Sequence, residues 1–271
     1  MKKLFISCDM EGSSGITHWD ETDYDRGGRW YDYFREQMTK EVSAACRGAL
    51  DAGVSEVTVK DAHDSARNII PSMLPESIRI KRGWSGSILS MIQGIEEGFD
   101  ALAFTGYHSA AGSAANPLAH TMNTSIDEIK INGITASEFL IHSYLAGAMK
   151  IPVIFISGDE NICSEAAFHI PGIKTAAVSR GSGYAADSMH PADAAGLIYS
   201  QMHSAVSSKK NGFEGCFIRM PEHFDVAVRY TSHTKAFSRS HYPGTSLADE
   251  RTISFFADDY TEVMRFFHFV L

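Results

Sequence analysis

The sequence predicts an α/β fold, a three-layer, doubly wound, mostly parallel sheet with a smaller C-terminal α+β domain. Three observations predict it. Short β-rich runs alternate with stretches of helical periodicity, the signature of βαβ units closing right-handed into a parallel sheet. The strongest of these runs, such as Val153–Ser157, are apolar almost throughout, as strands covered on both faces are. Beyond residue 207 the alternation stops, and two strand-like runs precede a terminal helix.

Taken in order, Lys3–Cys8 reads as a buried strand. Phe34, Met38, Val42, Ala45, Cys46 and Ala49 form one face of a helix between Trp30 and Leu50, with Gly53 as its stop. Glu56–Lys60 is a second strand. A helix carrying Ile88, Met91, Ile92 and Ile95, ending near Gly98, leads to a third at Ala101–Thr105. Ser137–Met149 is helical, Val153–Ser157 is a fourth strand and Thr175–Val178 a fifth. The polar run Ser207–Gly212 divides a catalytic domain, 1–206, from a small α+β domain, 207–271. Within the second, Phe224–Tyr230 and Thr252–Phe256 are strands and Tyr260–Val270 a helix. No internal repeat or low-complexity tract is present.

A chain of 271 residues can bury a sizeable core, and 44% hydrophobic with 21% charged residues is ordinary for a globular protein. The net charge of −9 argues against nucleic acid, because no basic face is available to release counterions. The apolar run at the N-terminus is too short for a signal peptide and no run is long enough to span a membrane, so a cytoplasmic location with no membrane partner is expected. Cys8, Cys46, Cys163 and Cys216 are widely spaced and read as reduced, buried thiols.

The chemistry collects at strand ends. Asp9 and Glu11 follow the first strand, Asp61 and His63 the second, and Tyr107-His108 the third. In a parallel α/β sheet those ends share one edge, where ligands bind. Carboxylates and imidazoles brought together there suit zinc, with manganese or iron as competitors. Taken singly, each residue has a plainer reading: Asp9 as a turn or cap residue, His63 and His108 as ordinary polar groups. Together they read as a metal site. His18, His169, His190, His203, His223 and His268 are assigned no role. Gly12-Ser13-Ser14-Gly15 is a poor phosphate loop, since two carboxylates precede it; its glycines suit a sharp turn around a metal. Thr135-Ala136-Ser137-Glu138 fits a capping box, and Asp159 and Glu160 read equally as turn or cap residues and as ligands.

In this order the segments resemble the D-aminopeptidase family of zinc metallopeptidases. Ser7-Cys8-Asp9-Met10-Glu11-Gly12, Asp61-Ala62-His63, Thr105-Gly106-Tyr107-His108, Ala119-His120-Thr121-Met122, Ile131-Asn132-Gly133 with Ser137-Glu138, and Ser157-Gly158-Asp159 carry the likeness. A weaker likeness runs on through Thr175–Val178 and Tyr242-Pro243-Gly244-Thr245. The resemblance implies two zinc ions held by Asp9, Glu11, His63, His108 and Glu138, with Asp9 bridging, and a catalytic role for His120. It also implies a ring-like homo-oligomer. Ala62 and 109–116 depart from the family pattern near the ligands, which bears on substrate preference.

The expected activity is hydrolysis of short peptides after an N-terminal D-amino acid, D-Ala-D-Ala-like, by a metal-activated water. A dinuclear phosphoesterase would share the ligands but calls for Arg or Lys clamps, and only Lys60 and Arg67 lie near the ligand segments. A non-catalytic metal or small-molecule binding protein is the remaining alternative.

Overall fold

A computed structural model describes residues 1–208 and 212–271. Residues 209–211, in the polar run placed at the domain boundary, lie outside that description. The first half of the chain holds β1 (Lys3–Cys8), α1 (Tyr24–Gly27), α2 (Arg29–Asp51), β2 (Glu56–Asp61), β3 (Arg79–Lys81) and β4 (Ala101–Tyr107). Next come β5 (Ile126–Ile131), β6 (Ile134–Thr135), α3 (Glu138–Ala148), β7 (Val153–Asp159), α4 (Glu160–His169), β8 (Lys174–Ser182), β9 (Ala185–Ser188) and α5 (Pro191–Ser208). The remainder is β10 (Phe224–Tyr230), α6 (His233–Arg239), β11 (Thr245–Leu247), β12 (Thr252–Ala257) and α7 (Tyr260–Val270).

The larger sheet has the order β3-β2-β1-β4-β7-β8-β9 and is parallel except for β9. From β1 the chain moves outward to β2; from β4 it moves the other way to β7. The carboxyl ends of β1 and β4 therefore flank a topological switch point, where the crevice of such sheets opens. One face of the sheet packs on α2 and α5 through Phe34, Met38, Val42, Ile198 and Met202. The other packs on α3 and the second sheet through Phe104, Phe139, Ile129, Val228 and Phe266. The mostly parallel α/β architecture predicted from the sequence is thus present, with a separate antiparallel sheet beside it.

That second sheet has the order β11-β12-β10-β5-β6. Cutting the chain at 206/207 leaves β5, with β6 beside it, on the far side from β10, since Val226 and Val228 of β10 pair with Ile131 and Ile129 of β5. The helix expected around Ile88–Ile95 is instead two single 3-10 turns, Ser90–Ile92 and Ile95–Glu97. Gly94, at φ +97°, separates them, and Ser90 itself has φ +47°, so no α-helix can run through. All four cysteines are free and buried. No helix among the described residues is long and apolar enough to cross a membrane.

Glu41 of α2 lies under the loop that follows β1. Its Oε1 accepts the Ser14 N–H at 2.9 Å and Gln37 Nε2–H at 3.0 Å, while Oε2 has no partner. Burial pushes this carboxyl up to about 7, against the pull of those bonds. Folding thus favours the protonated form: its stability contribution is complete below the ordinary 4.5 and is lost as pH rises through about 7. Wild-type unfolding free energy should fall by about 3 kcal/mol from this group across that window. Urea titrations at a series of pH values should show a shallower slope for Glu41→Gln.

Candidate metal centre

The loop after β1 is pressed onto the end of β4. The Gly12 N–H donates to Gly106 O at 2.8 Å, and a Cβ at Gly12 would sit 1.8 Å from the Tyr107 carbonyl oxygen. Only glycine fits there, and the close approach fixes Asp9 and Glu11 against His108. After β2 the chain turns through Asp64 (φ +41°) and Ala66 (φ +55°). Asp61 braces that turn instead of entering the crevice. Its carboxylate accepts the N–H groups of Asn68 at 2.6 Å and Ile69 at 2.8 Å, and Asn68 Nδ2–H at 2.8 Å. Asn68 Nδ2 also donates to His63 O. Asp61→Ala strands these buried donors, so about 3 kcal/mol of stability should be lost, measurable by urea unfolding.

Asp159 plays the same part on the other flank. It caps α4 through the Ile162 N–H at 2.8 Å and accepts Ser109 N–H at 2.7 Å and Ser109 Oγ–H at 2.8 Å, holding the segment that carries His108. It is a cap, and Glu160 is an exposed first residue of α4. The capping-box reading of Thr135–Glu138 does not hold. Ser137 is the N-cap, accepting from Leu140 N, and the Glu138 carboxylate turns away to accept the Met122 N–H at 2.6 Å.

These braces bring Asp9, Glu11, His63, His108, His120 and Glu138 together. His63 Nδ1 lies 3.2 Å from Asp9 Oδ1 and 3.0 Å from Glu11 Oε2. His108 Nε2 lies 3.5 Å from Asp9 Oδ2 and 3.6 Å from Glu138 Oε2. His120 Nε2 lies 3.8 Å from Glu11 Oε1 and 3.7 Å from Glu138 Oε1, and its ring stacks on His108 at 4.3 Å. Three sets have donor atoms close enough to hold an ion: Asp9, Glu11 and His63; Asp9, His108 and Glu138; and Glu11, His108 and His120. The six histidines assigned no role belong to none of them.

The imidazoles share one arrangement. His63 Nε2 faces Thr22 O at 2.8 Å, His108 Nδ1 faces Ser109 O at 3.0 Å and His120 Nδ1 faces Leu118 O at 2.9 Å. A carbonyl accepts only from an N–H, so in the neutral ring the other nitrogen carries its lone pair into the cluster. That is how metal-ligating histidines are held. Asp9 Oδ2 and His108 Nε2 are buried without a hydrogen-bond partner, and Glu11 Oε2 meets only His63 Nδ1. Buried polar atoms are rarely left so, and here they face one another. Residue types and orphaned atoms together fit a divalent cation of the zinc class.

Electrostatics agree. Burial and the neighbouring Glu11 push Asp9 well above the usual carboxylate range. Burial pushes Glu11 the same way, but His63 outweighs it and holds that carboxyl well below its ordinary value. Burial opposes protonation of His63 and His108, yet the carboxylates win, raising His63 well above 6.5 and His108 to about 9. Three buried carboxylates demand positive charge at this point, from imidazolium or from a cation. His120 goes the other way: burial, then His108 beside it, lowers it. It also keeps 13% of its side chain accessible, against 6% for His63 and 1% for His108, so it is the imidazole most open to a substrate.

The cluster floors a cavity of about 660 Å³, ordinary for a small-molecule site. Trp19, Asp23, Arg26, Trp84 and Met122 wall it. Met122 stood in a segment of the family likeness without a role, and no periodicity or spacing in the sequence marks the other four. Trp19 packs edge-on against His120 at 5.2 Å.

A family model described as D-aminopeptidase matches residues 1–269. The chain belongs to the D-aminopeptidase family. A D-aminopeptidase of Bacillus subtilis (strain 168) is 31% identical over 265 residues, covering 96% of this chain and 93% of that protein. Among solved structures, the fold matches the one described as "Zn-dependent D-aminopeptidase DppA from Bacillus subtilis, a self-compartmentalizing protease", with a TM-score of 0.90 and 27% identity. That match covers 99% of this chain and 96% of the other. Membership of the D-aminopeptidase family makes the chain a hydrolase and agrees with the likeness drawn from the sequence segments.

Proposed function

We propose that this D-aminopeptidase family member is a two-zinc enzyme that removes the N-terminal D-residue of short peptides such as D-Ala-D-Ala by hydrolysis with water. The observation that carries the metal assignment is the shared arrangement of the three imidazoles around orphaned, buried carboxylates. The ligands are Asp9, Glu11, His63, His108 and Glu138. Asp9 belongs to two of the ion-competent sets, with Oδ1 towards His63 and Oδ2 towards His108, which supports a bridging role. Zinc bound there would supply Lewis acidity, making water a nucleophile near neutral pH and polarising the scissile carbonyl.

The protein's own groups do the rest. His120, neutral and with Nδ1–H committed to Leu118 O, presents Nε2 to the cavity as the proton acceptor and then as donor to the leaving amine. Trp19 holds that ring in place. Asp64 lines the cavity and suits a free ammonium. The phosphoesterase reading lacks its clamps. Lys60 Nζ is bound to the carbonyls of Asp61 and Gly83, neither it nor Arg67 lines the cavity, and Arg26, which does, is paired with Asp23 at 3.0 Å.

Purified protein should carry two zinc ions per chain and cleave D-Ala-D-Ala in preference to L-Ala-L-Ala or a nitrophenyl phosphate, with chelation abolishing turnover. Faster cleavage of the phosphate ester would overturn the assignment. Less than one zinc per chain with no effect of chelator would favour the binding-protein alternative. The self-compartmentalizing character of the structural neighbour supports a homo-oligomer here too, to which exposed aromatic side chains such as Phe168 and Tyr184 can contribute.

A further inference from the structure

A second cavity, of about 240 Å³, adjoins the metal cavity and shares Trp84, Ser90 and Met122 with it. Its inner wall is apolar: Ile141 from α3, and Met264 and Phe267 from α7. No Asp, Glu, Lys or Arg side chain among the described residues lines it. Most of the polar groups that do are engaged elsewhere. Trp84 Nε1–H donates to Asp64 O, and Gln93 uses Nε2–H on Gly83 O and Oε1 on Ser85. His142 donates Nδ1–H to Glu138 O and accepts the Met91 N–H. What remains on offer is hydrocarbon surface, with the His268 imidazole at the exposed rim.

At 240 Å³ the space is smaller than the roughly 300–1,000 Å³ of a site for a whole small molecule, but it suits one side chain. The partition is specific. Ser90 (φ +47°) and Met122 (φ +67°) both hold the left-handed backbone that L-residues seldom adopt. Met122 is held there by the bond from its N–H to Glu138 Oε1, a carboxylate of the metal cluster. Two methionines on the wall give it an adjustable shape.

We propose that this cavity is a side-chain subsite of the peptidase, receiving a branched or aromatic apolar side chain that flanks the scissile bond. The proposal rests on the aminopeptidase reading for the chemistry, and it makes apolar D-dipeptides, beyond D-Ala-D-Ala, the better substrate class. Ala to Leu adds three carbons of buried hydrocarbon, so at about 0.8 kcal/mol per carbon a gain of roughly tenfold to fiftyfold in kcat/KM is expected. A charged side chain should be rejected.

The test compares D-Ala-D-Ala with dipeptides carrying Leu, Phe or Glu in place of one alanine, first at the N-terminal and then at the second position. One of the two Leu series should exceed D-Ala-D-Ala by tenfold or more, and the Glu peptides should fall below it. Met264→Trp, and His268→Trp at the exposed rim in case the buried change disturbs folding, should bring the Leu-to-Ala ratio down towards one. If neither Leu peptide gains, or if both variants keep the wild-type ratio, the subsite is overturned. A second arm reads binding without catalysis. Tryptophan emission should change on titration with leucine amide well before alanine amide, and Trp84→Phe should remove the signal. Loss of all dipeptide hydrolysis with the emission response intact would sink the aminopeptidase reading and leave the subsite standing; equal responses to both amides would do the reverse.

Discussion

Asp9→Asn should reduce bound zinc from two ions per chain to one or none and lower kcat/KM on a D-dipeptide by on the order of a thousandfold or more. Asp9 is the residue shared by the His63 set and the His108 set, so its loss weakens both at once. Charge stabilisation by a bound metal amounts to several kcal/mol, and each 1.36 kcal/mol is tenfold in rate. A separate sign should show in chelator. There the Asn variant should melt above wild type, because Asp9 Oδ2 is buried without a partner and Asp9 faces the like charges of Glu11 and Glu138. Metal analysis, kinetics and thermal unfolding with and without chelator check the three parts. A variant that keeps both ions would remove Asp9 from the centre.

His120→Ala should behave differently. Turnover should drop by about a hundredfold to ten-thousandfold, the range of general acid/base catalysis, while both zinc ions stay bound. The distinction matters because His120 Nε2 also reaches Glu11 and Glu138 and joins Glu11 and His108 in an ion-competent set. Loss of one zinc would make His120 a ligand; near-normal turnover with zinc retained would deny it any chemical part.

Much of this centre was legible in the sequence because topology does the assembling. Once Lys3–Cys8, Glu56–Asp61 and Ala101–Tyr107 are parallel neighbours, Asp9, Glu11, His63 and His108 must share an edge. His120 and Glu138 were different. His120 sits in an irregular segment, and Glu138 reads locally as a cap, so only the family likeness singled them out. Their placement comes from a bond across sixteen residues, Met122 N–H to Glu138, and a local one, His120 to Leu118 O, that leave no periodic trace. The turns at Ser90–Glu97 were misread as a helix because apolar spacing there serves packing against the sheet, while the backbone is set by Ser90 and Gly94. Sheet membership of Ile126–Thr135 was hidden for a related reason: its partners lie nearly a hundred residues downstream.

The switch-point position of the centre also bears on how the protein is made. A chain emerging from the ribosome presents Asp9 and Glu11 first, but their neighbours arrive piecemeal, with Glu138 last. The strand that covers the outer side of β4 is later still, at Val153–Asp159, and it delivers the Asp159 carboxylate that anchors the His108 segment. A chain truncated before residue 159 lacks the carboxylate that holds the His108 segment, so the full six-residue cluster is braced only after Asp159 has been made.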